Sequence, residues 1–496
     1  MQPPDTNPHP RYHSLLPDSS PGPTQKRVLI AAGLPPEKCA YALARYSRSP
    51  DSILASIEWV RTHDSARFLD SFYFQYGHAS IADLGHVVLC LEGISELAAT
   101  EAEDEPLWDG QARSSRYQDF GKAAAVTPPE FGPAERAVYE PASVALVAAY
   151  RETHAAVDAY LRDRLPLPEG MKPDVYARNI AARAFDVARY FLPFGIPTGV
   201  GQITSIRTLE KQIRRLKVSE YQELRDLGAE MAAACAAPPA AAWDPASAEP
   251  VAPTLAKYVS GDVHLQQSRR DLAQWAAQNL PAAAGGAVED VDLMKPSDVS
   301  ADIVATLLYP VTDRPFRELY EMASAMSAAR RAEVIDVALR SRSRHDDLLR
   351  EFRGSPYAFD IVMDIGAYRD LHRHRRCHQF RQGYTGRLGY STPQLIRDCG
   401  LEARYATAMD AAFAAMRALP EPGSHYLLPF AAKSRFLFKM DFAEAEYISR
   451  LRSGVKGHFS YREVAWKMKR KMEELEPELG RLIEATPPWV EDPLKR

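Results

Sequence analysis

One order of sequence elements occurs twice along this chain, and that repetition restricts its fold more than any single motif does. Each half opens on a short apolar stretch and an acidic helix start: residues 28–30 with Pro35-Pro36-Glu37, and Val291–Met294 with Pro296-Ser297-Asp298. A helix-rich stretch follows and ends near a histidine, at Gly77-His78-Ala79-Ser80 and at Arg344-His345-Asp346-Asp347. Next comes an apolar run into glycine, residues 87–93 and 359–366, each predicted as a largely buried strand. Amphipathic helices are expected at 134–162 and 402–418. Each half then has a Leu-Pro step, Leu192-Pro193 and Leu428-Pro429, a natural helix stop. Each closes on a basic helix, 204–231 and 441–472.

This order predicts an α+β chain made of two copies of one domain, with helices packed on a small central sheet in each. The expected divisions are a disordered Pro- and Ser-rich lead over 1–26, a first domain over 27–235, a linker with its own helix over 236–288, and a second domain over 289–496. A length of 496 residues suits two or three domains. The net charge of -4 argues against a broad nucleic-acid-binding surface but leaves room for a local anion pocket. No apolar run is long enough for a bilayer, and the lead has no apolar core of a secretory signal. Five scattered cysteines without a Cys-x-x-Cys fit a reducing, cytoplasmic setting.

Three clusters could carry chemistry. Leu371-His372-Arg373-His374-Arg375-Arg376-Cys377-His378 concentrates cationic donors, which is costly unless they are solvated or face an anion. The plain alternative is a solvated basic helix face. His374 and His378 stand four apart, a metal-ligating spacing, but the arginines between them repel a cation, so no metal is expected. Gln111-Ala112-Arg113-Ser114-Ser115-Arg116-Tyr117 offers hydroxyl, backbone N–H and guanidinium donors for a phosphate or imide. Ala188-Arg189-Tyr190-Phe191-Leu192-Pro193 followed by Thr204-Ser205-Ile206-Arg207 reads by itself as amphipathic helix with surface arginines.

Taken in order, these strings resemble flavin-dependent thymidylate synthases. That family carries a Gly-His-x-Ser/Thr element, then Arg-His-Arg with a Ser-x-Arg-Tyr downstream, then Ala-Arg-x-x-Leu-Pro and later Asn-x-Arg and Leu-Arg. The first half is similar at Gly77-His78-Ala79-Ser80, Ser114-Ser115-Arg116-Tyr117, residues 188–193 and Ser205-Ile206-Arg207. It has Asp104-Glu105-Pro106 in place of Arg-His-Arg, and Ala112 in place of the family's Glu. The second half is similar at Arg373-His374-Arg375, Leu428-Pro429 and Leu451-Arg452. It has Gly383 for the signature Ser and Ser424-His425 for Ala-Arg. Each half lacks what the other retains.

The resemblance implies one composite pocket per pair of halves, its reciprocal being inactive, and a homodimer that mimics the family's tetramer. It implies that Arg116 and Arg189 hold the phosphate of dUMP or another uridine nucleotide, with Ser114 and Tyr117 beside them. Arg373 and Arg452 would face the pyrimidine. His78, Ser80, Arg207, His374 and Arg375 would line FAD. Methylenetetrahydrofolate would supply the carbon and NADPH the electrons for a methylation giving dTMP. The competing expectations are a catalytically decayed homologue that binds nucleotide or acts as a scaffold, and a nucleic-acid binder using the Arg-His run. The acidic balance and the lack of clustered aromatics weigh against the last.

Overall fold

The computed structural model describes the chain from residue 29 onward, apart from residues 30, 32, 48, 50–51, 64–78, 242–248, 255–258, 282–288, 344–345, 347, 493 and 495–496. The expected lead, His78 and His345 therefore lie outside the described residues.

Among the described residues, seven strands form two sheets. The strands are β1 (His86–Ser95), β2 (Asp109–Ala112), β3 (Pro197–Ser205), β4 (Val291–Met294), β5 (Tyr357–Asp364), β6 (His378–Arg381) and β7 (Lys433–Met440). One sheet has the order β1-β3-β2 and the other β4-β5-β7-β6. Removing the edge strand β4 leaves two sheets of the same order, so the duplication is a duplication of topology. The second sheet is antiparallel, with Tyr357 opposite Met440 and His378 opposite Lys439.

The repetition extends to individual backbone bonds. The Glu96 and Leu97 N–H groups donate to the Ile196 and Phe194 carbonyls, and those of Ile365 and Gly366 donate to Ala432 and Phe430. Arg113 N–H donates to Gly199 as Gln382 N–H does to Arg435. The two Leu-Pro steps pair antiparallel, Pro193 against Pro429. Around that bridge the Phe194 N–H donates to Leu428 and the Phe430 N–H to Leu192. Gly195 to Tyr426 and Ala431 to Tyr190 repeat the symmetry one step further out. The Leu-Pro step is thus the axis about which the copies face each other, because Pro leaves a carbonyl but no N–H and the flanking residues supply the donors.

The helices after the strands begin with short polar caps. Ser95 and Asp364 accept from the N–H of Ala98 and Ala367. Asp441 caps helix Phe442–Ser453, and Ser205 accepts from Thr208 at the start of helix Ile206–Leu216. The resemblance implies Asn at these two positions, and Asn, Asp and Ser are near-equivalent caps. Helix Pro133–Arg164 and helix Glu402–Arg417 match the amphipathic expectation, and helix Val263–Asn279 lies in the intervening segment.

Three expectations are corrected. The run over 86–94 is not a buried strand: Val88 and Cys90 face solvent, and β1 alternates because one face is open. Its counterpart β5 is buried along its whole length. Each closing basic helix is two helices, Ile206–Leu216 and Gln222–Ala236, then Phe442–Ser453 and Phe459–Leu475, and Thr204 belongs to β3.

Two compact units partition the chain. One contains Met1–Leu89, Ile203–Arg214 and Leu227–Ser260. There Tyr41, Ala42 and Val60 form a small core with Leu34, Ile57 and Trp59. The other contains Cys90–Gln202, Arg215–Asp226 and Gly261–Arg496, so much of both halves shares one unit. Its second sheet buries Phe359, Ile361, Phe436 and Phe438, with Tyr368 of helix Ile365–Leu371, against helix Phe459–Leu475. Among the described residues no helix is long and apolar enough to cross a membrane.

Candidate functional site

Arg189 of the first half pairs with Asp370 of the second, a half-buried carboxylate. Arg189 stands at the C-cap of helix Pro173–Ala188 and is 1% exposed. Its guanidinium donates to Asp370 Oδ2 at 3.4 Å and to the Gly366 carbonyl at 3.1 Å. Burial would raise Asp370, but Arg189, Arg116, Arg373 and Arg452 together hold it below the ordinary carboxylate range.

Arg116 sits in the turn after β2, where the Ser114 hydroxyl accepts its N–H. Its guanidinium grips Asp186 bidentately, at 2.7 and 3.2 Å. It also donates to the Tyr461 hydroxyl at 3.0 Å and the Lys456 carbonyl at 3.1 Å. Burial would favour its neutral form, and the Asp186 carboxylate more than offsets this. Ser115, not Ser114, is the buried hydroxyl: it accepts from Arg369 at 2.8 Å and Arg189 at 3.4 Å. Tyr117 is largely exposed, its ring beside Arg116.

On the second-half side, Arg452 Nε donates to His374 Nε2 at 2.8 Å while His374 Nδ1 meets Glu444 at 3.1 Å. Burial lowers the His374 pKa, Glu444 opposes this and Arg452 adds to it. A neutral imidazole fits that geometry, its Nδ1–H on Glu444 and its Nε2 lone pair on Arg452. Arg452 also lies over the Tyr461 ring that Arg116 touches. Arg375 reaches out to the exposed Asp109 and stacks over Trp108. Among the described residues, no hydrogen bond or ion pair engages the Arg373 guanidinium. Arg373 lines a small cavity of about 10 Å³, room for a single water, together with Glu96, Glu103, Ala112 and Arg369.

Ser80 and Arg207 belong to the other compact unit. Ser80 is exposed on the 3-10 helix Ala79–Leu84. Arg207 pairs with Asp83 at 3.0 Å, both about one-third exposed. Sequence reasoning missed Asp186, Asp370, Arg369, Glu96, Glu444 and Tyr461. Asp186 precedes Arg189 by one helical turn, and Arg369-Asp370 precede the Arg-His-Arg, so both carboxylates were visible as helix-face neighbours of the signature.

The reciprocal position, related by the symmetry of the Leu-Pro steps, has the opposite character. Glu105, in the place of His374, pairs with Arg215 at 2.8 Å. Asp104, in the place of Arg373, is held by Arg350 at 2.9 Å and by His372. Glu101 pairs with Arg381. The trio of Tyr190, Asp364 and Ser460 recurs as Tyr426, Glu223 and Ser95, with acid and hydroxyl exchanged between elements.

Residues 28–238 and 292–478 both match the model of the thymidylate synthase complementing protein. The chain belongs to that family. The thymidylate synthase complementing fold thus occurs twice here, as two repeated α+β domains. A UPF0159 protein of Chlamydia muridarum is 27% identical over 432 residues, covering 83% of this chain and 78% of that protein. A UPF0159 protein of Thermoplasma acidophilum is 23% identical over 494 residues, covering 89% and 93%. Among solved structures, flavin-dependent thymidylate synthase ThyX of Helicobacter pylori complexed with FAD and dUMP is 14% identical, with a TM-score of 0.26, over 40% of this chain and 89% of that one.

Proposed function

We propose that this chain is a flavin-dependent thymidylate synthase-like enzyme with one composite nucleotide site, taking dUMP or another uridine nucleotide. The domains are those read from the sequence, 27–235 and 289–496. The observation that carries the reading is that Arg116 and Arg452 meet at Tyr461 while Arg189 pairs with Asp370, so arginines share one site with residues of the other half. In this reading Arg116 and Arg189 bind the phosphate, Ser114 and Tyr117 border it, and Arg373, without a hydrogen bond or ion pair among the described residues, approaches the pyrimidine with Arg452. Arginines held in a buried site stabilise negative charge developing on a uracil carbonyl. Glu103 lines the same cavity as Ala112 and supplies the carboxylate that Ala112 lacks.

FAD, when bound, would carry hydride, with methylenetetrahydrofolate and NADPH as co-substrates. The donor set fits an anionic cofactor at Arg375, whose only described ionic partner is a solvent-exposed carboxylate. His374 has both ring nitrogens engaged and is a positioning residue that orients Arg452. A dimer of such chains would present two composite sites.

A specific observation favours a second reading. Asp186 and Asp370 already neutralise the two phosphate-binding arginines, as they would in a decayed homologue whose site has become an ionic brace between the copies. Reconstitution with FAD followed by dUMP titration separates the two. A flavin spectrum perturbed by dUMP supports the enzyme reading, and a chain that cannot take up FAD supports the brace.

A further inference from the structure

Two arginines of the site spend their terminal nitrogens on the protein itself. Arg116 donates to Asp186, Tyr461 and the Lys456 carbonyl, and Arg189 to Asp370, Ser115 and the Gly366 carbonyl. Arg452 is held differently. Its Nε donates to His374 Nε2 at 2.8 Å, and among the described residues neither terminal nitrogen makes a hydrogen bond or ion pair. Its guanidinium stands 5.7 Å from the centre of the Tyr461 ring. Arg452 therefore keeps both NH2 groups for a ligand, while one bond to His374 fixes how they point.

That bond needs a lone pair on His374 Nε2, because a protonated Nε2 would meet the Arg452 N–H as a second donor. A neutral imidazole can carry its proton on either nitrogen. Glu444 Oε1, 3.1 Å from Nδ1, makes the choice: a carboxylate accepts and cannot donate, so the proton sits on Nδ1. Glu444 lies in the first turn of helix Phe442–Ser453, where Asp441 accepts its N–H at 2.9 Å. Arg452 lies in the last turn of the same helix, about 12 Å further along the axis. Glu444 cannot touch Arg452 over that span, and the imidazole bridges them. The ring has little freedom to turn. His374 is buried, and its carbonyl accepts from the Cys377 thiol and from Gln379 Nε2, both at 2.9 Å. Tyr447, one turn beyond Glu444, packs edge-on against the imidazole with centroids 5.7 Å apart.

We infer that Glu444 is a positioning residue: through His374 it fixes the direction in which Arg452 presents its two NH2 groups to the ligand. This role rests on the nucleotide reading of the site and adds to it a residue that acts only through another. A guanidinium already held in place loses less rotamer freedom on binding than one free to swing.

Glu444→Leu removes the acceptor for Nδ1–H, and Glu444→Gln keeps one in its amide oxygen. Nitrogen NMR of the full chain labelled at histidine, with His374 assigned by its loss in His374→Gln, reads the tautomer. Wild type and Glu444→Gln are expected to carry the proton on Nδ1, and Glu444→Leu on Nε2. Titration of the FAD-treated chain with dUMP should weaken about tenfold in Glu444→Leu and stay within about threefold of wild type in Glu444→Gln. In an Arg452→Ala background, Glu444→Leu should weaken dUMP no further, an outcome that a general loss of packing would not produce. A His374 proton on Nε2 in the wild type would overturn the inference, whatever the variants do to folding. So would an unchanged tautomer or unchanged dUMP affinity in Glu444→Leu, or losses that add to those of Arg452→Ala. A wild-type chain that binds no dUMP would contradict the nucleotide reading instead, and the tautomer in Glu444→Leu would then decide the role of Glu444 alone.

Discussion

The two reciprocal positions share a backbone and differ in almost every charged side chain. On one side stand Arg189, Arg373 and His374; on the other His425, Asp104 and Glu105 stand in the same places, with Arg215 paired to Glu105. The shared element is the Tyr hydroxyl beside the Leu-Pro step. What was kept is therefore what joins the copies, and what diverged is what would face a ligand. A single-domain ancestor would have to place every donor in both pockets. A fused pair can concentrate them in one and let the other drift.

The largest expected effect comes from the buried pair on the arginine side. Arg189→Met leaves the half-buried Asp370 without its nearest counter-ion and should cost about 3–5 kcal/mol in denaturant unfolding. Arg189→Met/Asp370→Leu should recover most of that loss, because an apolar pair of similar volume carries no orphaned charge. If the double variant were no more stable than the single one, the cluster would not be an internally neutralised pair.

Next is a pH effect from His425 on the reciprocal side. His425 is held near pKa 4, below its ordinary value of 6.5. A depressed folded-state pKa gives stability that is full above pH 6.5 and is lost as pH falls toward 4. The loss should reach on the order of 3 kcal/mol. His425→Leu should flatten this part of the melting-temperature profile, while His458, shifted the same way by burial and by Arg189, would retain its own share.

A smaller change should sharpen the contrast in ligand preference. Asp186→Asn frees Arg116 from its bidentate carboxylate and should tighten dUMP binding about tenfold, near 1.4 kcal/mol. Weaker binding would mean that Asp186 orients Arg116 instead of competing with the phosphate. Smallest of all, Arg207→Ala removes a pair that is about one-third exposed and should change stability by less than about 0.5 kcal/mol. A loss of FAD uptake in that variant without a stability change would place Arg207 at the cofactor.

Much of this was legible in the chain because both copies keep the order of their caps, helices and Leu-Pro steps. The short strands were not. Asp109-Gly110-Gln111-Ala112 has no strand propensity, and its pairing depends on a partner far along the chain that donates nothing to local pattern. The run over 86–94 looked buried because its apolar residues are nearly continuous, yet Val88 faces solvent. The basic helix over 204–231 is interrupted at Val218-Ser219, where the Ser219 hydroxyl accepts the Tyr221 N–H and ends one helix before the next begins. In the site, the arginines of the signature could be named, but their carboxylate partners could not be assigned. Arg116 and Asp186 lie 70 residues apart, and Arg189 and Asp370 lie 181 apart, so only the fold brings them together.

The central claim is that the pair of copies keeps one nucleotide site and has abandoned the other. Equilibrium dialysis of the FAD-treated chain against labelled dUMP measures this directly. The account predicts one dUMP per chain, lost in Arg373→Ala and unchanged in Arg350→Ala on the reciprocal side. Two dUMP per chain, or one that survives Arg373→Ala, would contradict it.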